Sequence, residues 1–85
     1  MRFHIETKHT PENCGLANPG KGIPQAPNWA DRCKEMGITH VAGGSCQPEH
    51  TGFMFVETDD MTKIRDLLLP VMGRMEIKVT PVNSR

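Results

Sequence analysis

Two short segments of this chain mirror each other: His9-Thr10-Pro11-Glu12-Asn13-Cys14 and Cys46-Gln47-Pro48-Glu49-His50. Each contributes one histidine, one cysteine and a Pro-Glu pair, with the order of His and Cys reversed. Imidazole nitrogen and thiolate sulfur together suit a borderline or soft metal, zinc or copper. The same groups also serve as acids, bases and nucleophiles. The spacings His-x4-Cys and Cys-x3-His fall within the range of structural zinc sites but lack the tight Cys-x-x-Cys knuckle. His9, Cys14, Cys46 and His50 are the candidate metal ligands. Set against them is the plain reading of two solvated histidines and two small loop fillers.

A second constellation lies on a strand. Phe3, Ile5 and Thr7 alternate with His4, Glu6 and Lys8, so His4 and Glu6 share the polar face. The last strand can present Glu76 and Lys78 on that same side, and His40 joins them if its register agrees. On an exposed sheet this is a wetted surface. Enclosed by a second copy, a His-Glu pair becomes an acid/base or ligand-orienting unit, which makes His4, Glu6 and His40 the candidate catalytic residues. Cys33, spaced with Trp29 and Met36, reads as core.

The elements that position these groups follow from periodicity and punctuation. Residues 2–8 form a strand, and residues 9–27, rich in Pro and Gly, form a long connection. Pro27 suits a helix's first turn, the stripe Trp29–Met36 continues it, and Gly37 caps it. A second strand runs from Ile38 to about Cys46, weakened by Gly43-Gly44. After a turn at Gln47–Thr51, Gly52–Glu57 is the most apolar strand, and its consecutive apolar residues predict cover on both faces. Thr58-Asp59-Asp60 opens a helix whose inner stripe is Met61, Ile64, Leu67, Leu68 and Val71. Residues 74–80 alternate as a last strand, limited by Pro81.

The order β-α-β-β-α-β, with right-handed crossovers, predicts one α+β domain over residues 1–85. It is a ferredoxin-like sandwich in which two helices cover one face of a four-stranded antiparallel sheet. In that topology the first and second strands run parallel with the third between them. Both mirrored segments then sit at one end of the sheet, about 10 Å apart.

Composition narrows the partners. Ten basic and ten acidic side chains cancel, with no basic run to attract nucleic acid or an anionic membrane. One Trp, three Phe and no Tyr make a poor base-stacking platform. No apolar stretch reaches the roughly 20 residues of a membrane helix, and the opening residues carry no signal-peptide pattern. Three cysteines without such a pattern point to a reducing cytoplasm, not a disulfide framework. At 85 residues the core is small, and a second chain, a metal or a ligand would add to it.

The strand order, Phe55-Val56-Glu57-Thr58-Asp59-Asp60, the closing Glu76–Val82 and the His-Thr-Pro-Glu-Asn-Cys phrase resemble small proteins of the dimeric α+β barrel superfamily. The resemblance implies a homodimer whose sheets pack face to face into a barrel. The superfamily includes cofactor-free monooxygenases and isomerase-like enzymes, but none of their catalytic motifs maps onto this chain. The long connection at residues 15–27 also replaces the longer first helix expected of the family. Three functions follow as expectations: a zinc- or copper-binding protein using the mirrored segments, a small-molecule enzyme or ligand binder of the barrel type, or a dimerisation module without chemistry.

Overall fold

The computed structural model describes residues 1–83. Strands β1 (Arg2–Lys8), β2 (Thr39–Cys46), β3 (Thr51–Glu57) and β4 (Glu76–Val82) form one sheet in the order β2-β3-β1-β4. Every neighbouring pair is antiparallel. Helices α1 (Trp29–Met36) and α2 (Met61–Leu68) complete the β-α-β-β-α-β order. The architecture is α+β and compatible with a ferredoxin-like fold. Among the described residues, no helix is long and apolar enough to cross a membrane.

Local chemistry sets the boundaries. The Asn28 side chain accepts a hydrogen bond from Asp31 N (3.2 Å), so α1 begins at Trp29 and Pro27 lies just outside it. Gly37 closes α1 in the left-handed conformation (φ 73°), which costs a residue without Cβ little. Asp60 caps α2 by accepting from Thr62 N (2.9 Å). Pro70 cannot continue the α-helix without losing a backbone bond, and Leu69–Val71 tightens to a 3-10 turn. β4 runs on through Pro81, which an outer strand tolerates because the missing N–H need not be in the ladder.

The alternation in β1 is realised: Phe3, Ile5 and Thr7 are buried and their neighbours are not. Phe3, Ile5, Met54 and Val56 meet Cys33, Ile38, Ile64, Leu67, Leu68 and Val71 in a single core. The two helices are also joined by Arg32, whose guanidinium donates to the carbonyls of Leu67 (3.0 Å) and Asp66 (2.7 Å) at the end of α2. That end holds carbonyls without helical partners, which a cation satisfies well.

The opposite face of the sheet is bare in the single chain. Phe53 and Phe55, expected to be covered, are 36% and 37% exposed because both helices pack on the Met54–Val56 side. The covered face also changes along its length. Large side chains (Phe3, Ile5, Met54, Val56) give way to Thr7, Gly43, Ser45 and Gly52 towards the end where β1 and β2 finish. Helix α1 is only eight residues long, and the connection at 9–28 covers that end instead.

Candidate metal centre

The central ladder brings the two histidines together. Lys8 and Thr51 are the last paired residues of β1 and β3, and His9 N donates to His50 O (3.0 Å) one step further on. The two rings are edge to face, with centroids 5.1 Å apart. His50 closes the 3-10 turn Gln47–Glu49, its N–H donating to Gln47 O (2.9 Å), with φ at 55°. Among the described residues it is the one non-glycine in the left-handed region. Histidine enters that region more readily than most residues, but the conformation still costs about 1 kcal/mol.

Cys14 arrives from the other side. A 3-10 turn at Pro11–Asn13 reverses the chain after β1, and Cys14 N donates to Pro11 O (3.2 Å). Asn18 then clamps the turn: its backbone N–H and its side-chain Nδ2 both donate to Cys14 O (3.0 Å each), and Nδ2 also donates to Pro11 O (2.7 Å). Asn13 Nδ2 donates to Arg74 O (3.3 Å), while the Arg74 guanidinium donates to Pro24 O (3.1 Å) and Pro70 O (3.3 Å). Arg74 thereby fastens two points of the long connection to the turn before β4.

The outcome is a group of three. One donor atom each from His9, Cys14 and His50 lies within 4.8 Å of the others. Zinc bonds of 2.0–2.3 Å in tetrahedral geometry separate neighbouring donors by about 3.5 Å, so small side-chain rotations drawing the group in by about 1 Å complete a coordination triangle. Nε2 of His9 and Nδ1 of His50 are buried without a hydrogen-bond partner among the described residues. Buried polar atoms in folded chains nearly always have one, so these two nitrogens stand available. Burial pushes the His9 imidazole below its ordinary pKa, and the charges of His50 and Arg74 push the same way. The neutral ring that results is the metal-binding form. One end of this group opens on a cavity of about 880 Å³.

Comparison with family models, curated proteins and solved structures finds no match. The site's own chemistry therefore carries the functional reading.

Of the four expected ligands, Cys46 does not join the group. It ends β2, with β3 between it and β1, and the Gln47–Glu49 turn lies between it and His50. Only the far end of that turn returns to His9.

The expected catalytic set divides across the sheet. His4 and Glu6 are on the bare face, opposite Phe55 and Phe53, with Lys78 beside Glu6. The His4 ring lies 4.9 Å from Phe55 and 6.1 Å from Phe53. His40 instead pairs with the core residue Val56, on the helix-covered face, and a bulge follows it. Its parity with the buried Ile38 is the sequence signal for that placement. Asn18 and Arg74, which hold the site together, had no such signal: their partners are backbone carbonyls up to fifty positions away.

Proposed function

We propose that this protein binds one borderline or soft transition-metal ion, zinc or copper, through His9, Cys14 and His50. The observation that carries the reading is the convergence of three N/S donors from separate turns within 4.8 Å of one another. Two imidazoles and a thiolate select against magnesium and calcium, which take oxygen ligands. Three protein donors leave a fourth position for water or a ligand, the pattern of reactive rather than purely structural sites. Elemental analysis of protein purified without a histidine tag, followed by titration with zinc and copper(I), tests it. The expected result is one equivalent per chain. Metal well below one equivalent after both additions would end the proposal.

A second reading concerns the bare sheet face. Half-exposed Phe53 and Phe55 beside His4 favour a homodimer closed across that face, as the dimeric-barrel resemblance implies. Such a dimer would enclose His4 and Glu6 as a pocket for a small molecule or serve association alone. Light scattering decides between dimer and monomer, and substituting His4 then separates a ligand site from a dimerisation module.

A further inference from the structure

The cavity beside the three donors is built from what the sequence withholds. On its floor, Gly43, Ser45 and Gly52 stand where Met54 and Val56 stand further along the covered face. At two of these positions a side chain would be crowded and its neighbours would have to shift. A Cβ at Gly52 would lie 3.0 Å from Thr7 Oγ1, and one at Gly43 would lie 3.0 Å from His40 Nε2 and 3.2 Å from Phe53 O. The His40 ring is thus laid over the floor rather than pointing away from it. The roof is the proline-rich stretch before α1 together with Trp29, and Arg74 anchors that stretch through Pro24 O.

The lining is chemically selective. Ile5, Trp29, Met54 and Met75 give it apolar walls, and Asn28, Gln25 and Ser45 add uncharged hydrogen-bonding groups. No Asp, Glu, Lys or Arg side chain lines it among the described residues. Beyond the metal itself and the imidazoles of His9, His40 and His50, a phosphate- or sulfate-bearing ligand would find no cation there, and an ammonium no carboxylate. A volume near 880 Å³ lies within the range of sites for small organic molecules.

We propose that this cavity binds an uncharged, partly apolar small molecule, held with one lone-pair donor towards the fourth position of the metal. The inference rests on the metal reading for its anchor and on the cavity's own lining for its selectivity. A neutral ligand with an apolar body gains from contact with Trp29, Met54 and Met75.

The probe is 4-phenylimidazole, compared with imidazole, on protein loaded with cobalt(II) as a coloured stand-in for zinc. The cobalt absorption band reads coordination, and Trp29 fluorescence reads the cavity. The expected result is a phenylimidazole affinity at least tenfold above that of imidazole, with both signals moving together. Ser45→Phe fills the floor and Ala30→Phe fills the mouth. Each should erase the preference while leaving cobalt binding unchanged, and circular dichroism shows which variant is folded. Equal affinities for the two probes, or a preference surviving in every folded variant, would overturn the proposal. If no protein takes up cobalt, the metal reading fails on that signal alone. The cavity is then judged on Trp29: a saturable phenylimidazole response removed by the filling variants sustains it, and no response refutes it.

Discussion

Replacing Cys14 should separate the metal site from the mirrored spelling that suggested it. Zinc held by four ligands in small peptides contributes about 10–16 kcal/mol, or roughly 3 kcal/mol per ligand. Three donors within 4.8 Å would then supply about 9 kcal/mol, a Kd of a few tenths of a micromolar. At about 100 μM free zinc that is about 3.5 kcal/mol of added stability, or about 14–28 °C in melting temperature for a chain this size. Cys14→Ser removes one ligand and weakens binding about 150-fold, so the zinc-dependent shift falls to about 3–6 °C. Cys46→Ser should keep the full shift, because Cys46 stands outside the group. Thermal melts with and without zinc, taken on each variant, cancel the separate cost of altering the buried Cys14 side chain. Competition with a coloured chelator gives the Kd directly. Equal losses in the two variants, or an undiminished shift in Cys14→Ser, would refute the three-donor assignment.

Other consequences are as direct. Arg32→Met keeps the packed stem but abandons the carbonyls of Asp66 and Leu67, and should lower stability by about 2 kcal/mol in urea unfolding. Burial raises the Cys33 thiol above its ordinary pKa, against a smaller opposing effect of Arg32. The folded state then holds that proton longer, so the contribution to stability is complete below the ordinary thiol value and is lost as pH rises through the folded one. At pH 8 iodoacetamide should label half-buried Cys46 at least about a hundredfold faster than Cys33, as mass spectrometry of digests would show. His9 has the opposite sign: its lowered pKa means the fold favours the neutral ring. Stability of the metal-free protein should therefore decline as pH drops below the ordinary histidine value, towards the folded one. In an NMR titration His9 should titrate below that value, and Arg74→Ala should move it upwards.

Much of this was readable in the residues because it depends on short-range rules. The alternation in β1 and the stripe Ile64-Leu67-Leu68-Val71 assign buried faces without reference to the rest of the chain, although Met61, expected at the head of that stripe, is exposed at the first residue of α2. Strand order then carried the mirrored segments to one end of the sheet, and His9, Cys14 and His50 do converge there. The exclusion of Cys46 was not readable, because it depends on how the Gln47–Glu49 turn directs its two ends. The face of His40 was readable from its parity with Ile38, whereas the bulge between His40 and Ala42 hid which later residues of β2 face the helices. The cavity was hidden because it consists of absent side chains, and glycines in a strand signal a bulge as readily as a floor.

The outer strands set one more condition. β2 carries a bulge and two consecutive glycines, and β4 carries Lys78 and Pro81. Each of these features spoils a flat, continuous row of free N–H and C=O groups, the template on which a stray strand would add. Lateral growth of the sheet into fibrils is thereby disfavoured from both sides. A chain so guarded can leave Phe53 and Phe55 open on its broad surface without recruiting its neighbours by backbone pairing.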